Sequence, residues 1–280
     1  MLLWLVVVLV AALGVGVLSL LLFLLGAHAR FVAYHRFKGS DVPYPAGMAL
    51  VGYLAAELYA MLRISWWHVR ARLPTFRRVA GDDPTPVVLI HGYSQNATNM
   101  WGMRVALEAC GRVTFPVSLG LPFRSIDGYC PRLVAGVERA LRATGATRFD
   151  LVAHSMGGIV TRRVLAQRPD LARRLRRVVT LGSPHLGTAG ARGLVFVREA
   201  QEMRRRSDLL GSLPTFRDLA PDAEVTTIAA RQDYVVYPSD TCHLPGARAI
   251  TLDRVGHAGL IAHPAAVRAV TTALCAPPEG

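Results

Sequence analysis

The sequence is short of lysine and of acidic side chains. Lys38 is its only lysine, and 19 Asp and Glu residues stand against 32 Lys and Arg, for a formal net charge of +13. Such a charge raises the question of nucleic-acid binding. The densest basic clusters, Arg173–Arg177 and Arg204–Arg206, lie among leucines and alanines rather than beside aromatic residues or a nucleic-acid motif. We therefore expect no nucleic-acid partner and assign these arginines to solvated surfaces and to attraction for anionic lipid headgroups.

Cysteine is also scarce, and its spacing excludes the common zinc and thioredoxin-type motifs. The four cysteines include no CxxC pair. If they form disulfides, we expect the local bridges Cys110–Cys130 and Cys242–Cys275. The alternative is that they are buried thiols.

Charge is missing altogether from the first 26 residues. As a helix with about 1.5 Å per residue, this stretch would be roughly 39 Å long, which exceeds the ~30 Å hydrocarbon core of a bilayer. A cleaved secretory signal is the rival, since Ala27-His28-Ala29 has the small residues of a cleavage site. The apolar run is longer than a signal core, however, and no basic residue precedes it. We therefore predict an uncleaved, single-pass transmembrane anchor at residues 1–26.

The side of the membrane that holds the remainder of the chain is left open by the sequence. Arg30, Arg36 and Lys38 follow the predicted span. The positive-inside rule then places the downstream domain in the cytoplasm. Paired cysteines would argue for the opposite side.

Residues 27–80 are predicted to be a linker that contains one amphipathic helix. Met48–Trp67 is apolar over the length of a helix, is interrupted by Glu57 and Arg63, and ends on two tryptophans. These charges and terminal aromatic residues favour an interfacial helix over a second span. Packing on the flank of the folded core is the alternative interpretation.

From residue 81 onward, strand-like runs alternate with helix-like runs. This order predicts an α/β fold, a doubly wound and mostly parallel sheet of about six strands with helices on both faces. We expect residues 81–280 to form this domain and its ligands to bind beyond the carboxyl ends of the strands. The predicted strands are 87–91, 112–117, 149–154, 177–182, 225–230 and 247–252, and the predicted helices are 97–109, 131–144, 158–167, 194–213 and 263–274.

The stretch LVAHSMGG, Leu151–Gly158, places a serine where the third predicted strand gives way to a helix. Ala153 and Gly157 flank Ser155 at the positions where a sharp turn has no room for a large side chain. The N-terminus of the following helix faces any negative charge that develops there. We predict that Ser155 is a nucleophile for acyl carbonyls, which requires a base and an orienting acid from elsewhere in the fold.

Two residues after later strands are predicted to complete this site. His257, in a glycine-flanked loop after the last strand, is the predicted general base, and Asp233, after the fifth strand, is the predicted orienting acid. His154 is expected to point away, because its neighbour forms the turn. The lower-ranked alternatives are His91, His185, His243 and His263 for the base and Asp240 and Asp253 for the acid.

Acyl transfer also requires N–H donors where the tetrahedral oxyanion forms. The backbone N–H of Met156, directly after the nucleophile, is one predicted donor. The backbone N–H of Tyr93, in the loop after the first strand, is the other.

Five motifs, HGYSQNATNMW, AHSMGG, TLGSPHLGT, RQDYVVYPSD and VGHAGL, resemble in their order those of the bacterial serine lipases and esterases of the α/β-hydrolase fold family. The similarity covers residues 86–274. It implies Ser155, Asp233 and His257 as a catalytic triad and Tyr93 with Met156 as the oxyanion hole. It implies no organic cofactor and no metal for the reaction, and no carboxylate cluster indicates the structural calcium that some lipases carry.

Together with the predicted anchor at residues 1–26, the resemblance implies a membrane-anchored carboxylic ester hydrolase that cleaves apolar acyl esters through an acyl-enzyme on Ser155. An acyl-thioesterase, an acyltransferase or a deacylase of lipidated partners would use the same residues, and a non-enzymatic binding module is a further alternative. The expected partners are an acyl-ester substrate and the bacterial inner membrane. Residues 187–219 are expected either to form a mobile lid over the site or to pack in the core.

Overall fold

The computed structural model describes residues 2–40, 42–70, 83–194 and 196–275. Its strands form one six-stranded sheet in the order β2-β1-β3-β4-β5-β6, and every neighbouring pair is parallel. This confirms the predicted doubly wound parallel sheet. The strands are β1 Asp83–Ile90, β2 Arg112–Val117, β3 Phe149–His154, β4 Leu175–Leu181, β5 Glu224–Ala230 and β6 Arg248–Leu252.

Helices cover both faces of this sheet. One hydrophobic cluster lies on the face of α4 and α5, and a second lies on the face of α2, α3 and α10. The described helices are α1 Leu2–Phe37, α2 Gly47–Arg70, α3 Trp101–Ala109, α4 Ile126–Thr144, α5 Met156–Gln167, α6 Pro169–Ala172, α7 Arg198–Glu202, α8 Asp208–Ser212, α9 Phe216–Leu219 and α10 Pro264–Cys275.

The central strand β3 is buried along its whole length. Because side chains alternate along a strand, Leu151 and Ala153 join the cluster beside α4 and α5, while Val152 joins the cluster beside α3 and α10. A strand covered on both faces has no solvent side, which explains its nearly continuous apolar sequence. This burial fixes the position of the residue that follows β3.

The two N-terminal helices both pack against the folded domain. Leu24, Ala27 and Phe31 on one face of α1 are buried, and α2 contributes Ala60 and Ile64 to the core cluster beside α10. The helical segments 14–37 and 47–64 are both long and apolar enough to cross a membrane. Because α2 contributes to the core cluster, the structure shows the packing on the flank of the core that was the alternative interpretation, and an interfacial position of α2 stays a prediction. The predicted boundary at residues 80 and 81 lies outside the described residues, and the division into anchor, linker and domain stays a prediction.

A disulfide joins Cys110 at the end of α3 to Cys275 at the end of α10. Cys130 and Cys242 are buried free thiols. The expected local pairing is therefore wrong. Cys130 belongs to α4, on the opposite face of the sheet, whereas α3 and α10 pack side by side and bring their last residues together.

Residues 187–219 do not form the long helix predicted at 194–213. The segment contains the three short helices α7, α8 and α9. Met203, Leu210, Leu213 and Phe216 belong to the main core cluster. Core packing, the second of the two interpretations of this segment, accounts for these apolar side chains.

Candidate active site

The strand order places a crevice at the carboxyl end of the sheet. The chain leaves β1 to reach β2 on one side, whereas β3 lies on the other side of β1. The connections after β1 and β3 therefore diverge and leave a cleft between them. Ser155 follows β3 directly and Tyr93 lies in the loop after β1, while Asp233 follows β5 and His257 follows β6.

Ser155 occupies a strained turn. Its backbone has φ 53° and ψ −125°, a region that a non-glycine residue rarely adopts. Its N–H donates to the carbonyl oxygen of Leu181 on β4 at 2.8 Å, and α5 begins at the next residue. A Cβ atom on Gly157 would lie 2.7 Å from the carbonyl oxygen of His91, so this position requires glycine. The sharp turn between strand and helix has the geometry expected from AHSMGG.

The structure brings the three predicted catalytic residues into one hydrogen-bonded chain. The Ser155 Oγ lies 3.0 Å from Nε2 of His257, and Nδ1 of His257 lies 2.7 Å from Oδ2 of Asp233. The Asp233 carboxylate is buried and accepts N–H groups from Val235 and Val236 at its other oxygen. Because a carboxylate only accepts, Nδ1 of His257 carries the proton and Nε2 is free to accept the serine hydroxyl.

The environment of His257 favours its charged form. Burial alone would lower the pKa of His257, but the charge of Asp233, its hydrogen bond and the charge of Glu57 together raise this pKa above its ordinary value. The imidazolium that forms when His257 takes a proton is therefore stabilised.

The predicted oxyanion donors come from two places, the residue directly after Ser155 and the loop after β1. Met156 is the first residue of α5, where a backbone N–H has no partner within the helix. Tyr93 follows Gly92, whose added Cβ would lie 2.9 Å from Cβ of Ser155. Gln95 holds this loop, because its Oε1 accepts the N–H of Gly92 at 2.8 Å. The role of the two N–H groups stays a prediction.

His154 does not point away from the site, and that expectation is wrong. Its ring lies 4.7 Å from the ring of His257, and its Nε2 is 3.2 Å from the carbonyl oxygen of His257. The reason is the alternation of side chains along β3, which places His154 on the same face of the sheet as Val152. The residues that follow His257 pack on that same face. Burial first, and then the charge of His257, hold the pKa of His154 well below its usual value. His154 therefore packs as a neutral ring beside the proposed base.

The rival residues have other contacts. The Asp253 carboxylate pairs with the exposed Arg231 at 2.6 Å. Asp240 lies in a short 3₁₀ turn, Ser239–Cys242. The rival histidines have these partners: His91 accepts the N–H of Leu119, His185 hydrogen-bonds to Thr180, His243 bonds to Thr227 and Thr251, and His263 accepts the N–H of Ala265.

A cavity of about 370 Å³ opens beside Ser155 and His257. Its walls come from the loops after β1 and β5 and from the helices α1 and α2. No described residue between 187 and 219 lines it. Within the described part of the chain, no group of three or more His, Cys, Asp or Glu residues is placed to hold a metal ion.

Sequence reasoning missed Glu57 on α2. Its carboxylate is buried and accepts the N–H groups of Ala258 and Gly259, each at 3.0 Å, directly after His257. On the same helix, the hydroxyl of Tyr53 donates to the carbonyl oxygen of Gln232, next to Asp233. The only available signal was that Glu57 is the one charged residue in residues 48–62.

A family model described as palmitoyl protein thioesterase matches residues 86–235. Two curated relatives, both named triacylglycerol lipase, come from Pseudarthrobacter phenanthrenivorans and Burkholderia plantarii, and each is 37% identical over 112 residues. The match covers 37% of this chain but 34% and 30% of the two relatives. The chain therefore matches about a third of the length of these relatives.

Two solved structures share the fold. Aspergillus fumigatus lipase B superposes with a TM-score of 0.61 at 13% identity, over 73% of this chain and 56% of that chain. Bacillus licheniformis lipase BlEst2 superposes with a TM-score of 0.57 at 17% identity, over 72% of this chain and 96% of that chain. At these identities the likeness concerns the fold, and it confirms the predicted one.

Proposed function

The chain belongs to the family described as palmitoyl protein thioesterase, and from this premise we propose that it is a serine hydrolase that cleaves esters of apolar acyl groups. Its fold bears out the resemblance to the α/β-hydrolase lipases and esterases. The observation that carries the proposal is the hydrogen-bonded chain from Ser155 through His257 to Asp233, beside an apolar-walled cavity.

The proposed reaction begins when the Ser155 Oγ attacks the acyl carbonyl carbon and its proton moves to Nε2 of His257. Asp233 stabilises the resulting imidazolium, and the N–H groups of Tyr93 and Met156 bind the oxyanion, each contributing about 3 kcal/mol. The tetrahedral intermediate collapses as His257 gives its proton to the leaving alcohol. Water then attacks the acyl-enzyme, assisted by the same histidine, and releases the carboxylic acid.

Thioester cleavage is the second candidate, and the description of the matching family model favours it. The same three residues serve both reactions, but a thiolate is a better leaving group than an alkoxide and depends less on the proton from His257. An oxygen ester and a thioester of the same acyl chain therefore distinguish an esterase from a thioesterase. A higher kcat/KM for the thioester than for the oxygen ester in the wild type would support the thioesterase, and the reverse order would support the esterase.

We further propose that α1 anchors the protein with the catalytic domain outside the cytoplasm. Residues 2–26 of α1 carry no charged side chain, and at about 1.5 Å per residue they are long enough to span a bilayer. The positive-inside rule favours the other side, but the bond between Cys110 and Cys275 is typical of an oxidising compartment. Unfolding the protein from isolated membranes in the presence of a thiol-blocking reagent, before reduction, exposes the buried Cys130 and Cys242 and should leave half of the four cysteines protected. Four reactive thiols would contradict this orientation.

The nucleophile is tested with the variant Ser155→Ala in the full chain. A fluorophosphonate probe should label the wild type and not the variant, and turnover of p-nitrophenyl butyrate should fall to background. Ser212→Ala, at an exposed serine that ends α8, is the matched control and should keep both labelling and turnover. Labelling or full turnover in Ser155→Ala would refute the assignment.

A further inference from the structure

One wall of the cavity beside Ser155 belongs to α1. Leu20, Phe23, Leu24 and Ala27 line the cavity, and their spacing places them on one face of the helix. The same face continues to Phe31, which is fully buried against Tyr234 and Tyr237. The helix α1, which contains the predicted membrane anchor, therefore also forms part of the candidate site.

The second helical wall comes from α2, with Met61 and Ile64. Glu57 lies on the same helix, but its carboxylate is already occupied by the N–H groups after His257. Among the described residues that line the cavity, none is Arg or Lys. The cavity is thus suited to an uncharged hydrocarbon chain and offers no cation for a phosphate headgroup. Its volume of about 370 Å³ is in the range of small-ligand pockets.

The opposite face of α1 is apolar and exposed at the same level. Leu18, Leu22 and Leu25 are 57%, 60% and 46% exposed. The first charged residue along the helix is Arg30. At 1.5 Å per residue, the cavity-lining stretch from Leu20 to Ala27 covers about 10 Å of the helix axis. It ends three residues before Arg30, and so the cavity ends near the level where the apolar exposed face of α1 also ends. In a membrane, this places the cavity where the hydrocarbon core meets the headgroup layer.

We propose that α1 and α2 form the acyl-binding pocket, and that the enzyme takes the long acyl chain of a bilayer-embedded ester along its own membrane helix. The chain lies between Leu20 on α1 and Met61 on α2, and its carbonyl carbon meets Ser155 at the inner end. This inference rests on the proposed function and deepens it by naming the substrate class. It assigns chain-length selection to helices that precede the residues matched by the family model.

Two pocket variants of the full chain test this, each with a matched control on the outer face of the same helix. Leu20→Trp and Met61→Trp fill the pocket, whereas Leu18→Trp and Leu62→Trp change exposed positions. The measurement is kcat/KM for p-nitrophenyl palmitate relative to p-nitrophenyl butyrate. The ratio should fall about tenfold or more in the pocket variants and stay within about twofold in the controls. An unchanged ratio in the pocket variants, or an equal fall in the controls, overturns the proposal.

If the tryptophan variants lose activity on both esters, the enlarging variants Leu20→Ala and Phe23→Ala decide. They should raise the palmitate-to-butyrate ratio relative to the control Leu22→Ala, and an unchanged ratio overturns the proposal. Active-site titration with a fluorophosphonate reports the fraction of competent protein in each variant, so misfolding is not mistaken for selectivity.

A direct test maps the acyl chain. The protein is reconstituted in vesicles of phosphatidylcholine and phosphatidylglycerol and labelled with a long-chain alkyl fluorophosphonate that carries a diazirine at its chain end. After irradiation, crosslinks should fall in residues 20–27 of α1 or 61–64 of α2. Crosslinks confined to residues 187–219 would overturn the pocket assignment while leaving the serine hydrolase intact. Failure of the wild type to react at Ser155 at all would instead refute the proposed function.

Discussion

Replacement of Glu57 by glutamine should weaken catalysis without touching the nucleophile. In the structure, both carboxylate oxygens accept an N–H, from Ala258 and from Gly259, at 3.0 Å each. The glutamine side chain can keep one of these bonds, but its NH₂ group then faces the other N–H. A lost hydrogen bond to a charged group costs about 1.5–3 kcal/mol, and a buried donor without a partner costs about 1–3 kcal/mol.

This loss should act on the loop that carries His257. If a loss of about 1.5–3 kcal/mol is felt in the transition state, kcat/KM falls roughly 10- to 150-fold. The charge of Glu57 also helps to raise the pKa of His257, and because burial raises the pKa of Glu57 itself to about 7, this contribution is largest at neutral pH and above. Since His257 must be neutral to accept a proton, Glu57→Gln should move the acid limb of the kcat/KM profile to lower pH.

The assay is kcat/KM for p-nitrophenyl butyrate as a function of pH, with the Tm measured in parallel. Asp253→Asn is the matched control, because this carboxylate also follows β6 but is exposed and pairs with Arg231. It should leave both the rate and the acid limb unchanged. A lower Tm in Glu57→Gln with a wild-type rate and an unmoved acid limb would refute a positioning role and reduce Glu57 to a structural residue.

The remaining predictions concern the acid, a buried ion pair and the disulfide. Asp233→Asn should lower kcat by about 10³–10⁴-fold while the protein remains folded, because the imidazole loses its tautomer and its counter-charge; a loss below about tenfold would contradict this. Asp150→Ala should reduce the free energy of unfolding by about 3–5 kcal/mol in a denaturant titration, because it removes the buried carboxylate that balances the charge of the buried Arg112 and also pairs with Arg176. Cys110→Ser should lower stability by about 2–4 kcal/mol and make the Tm insensitive to reductant, with kcat/KM unchanged; equal stability of the oxidised wild type and the variant would argue against the bond to Cys275.

The parts of the site that follow strands were predictable from the sequence. Ser155, Asp233 and His257 each lie within a few residues of the end of a strand, and parallel strands carry such residues to one edge of the sheet. The small residues around Ser155 are required by the turn itself, so their pattern is local. The alternation of side chains along β3 was also predictable. The face of the sheet on which the loop of His257 packs was not, and the expected orientation of His154 was wrong for that reason.

Features that depend on helix docking were not predictable. Glu57 faces the active site because α2 packs on the flank of the core, and nothing in the apolar pattern of α2 fixes which face is turned inward. The bond between Cys110 and Cys275 has a sequence separation of 165 residues and depends on α3 and α10 packing together. The place of Leu24 in a pocket wall also depends on tertiary contacts of α1, which composition alone describes as a membrane anchor.

The central claim is that Ser155 carries the acyl group during turnover. The most direct measurement is peptide mass mapping after rapid acid quenching of the full-length protein with p-nitrophenyl palmitate. We expect a palmitoyl mass increment on the peptide that contains Ser155, formed together with a burst of p-nitrophenol and absent from Ser155→Ala. Turnover without any acylated Ser155, or an acyl group on a different residue, would contradict the account.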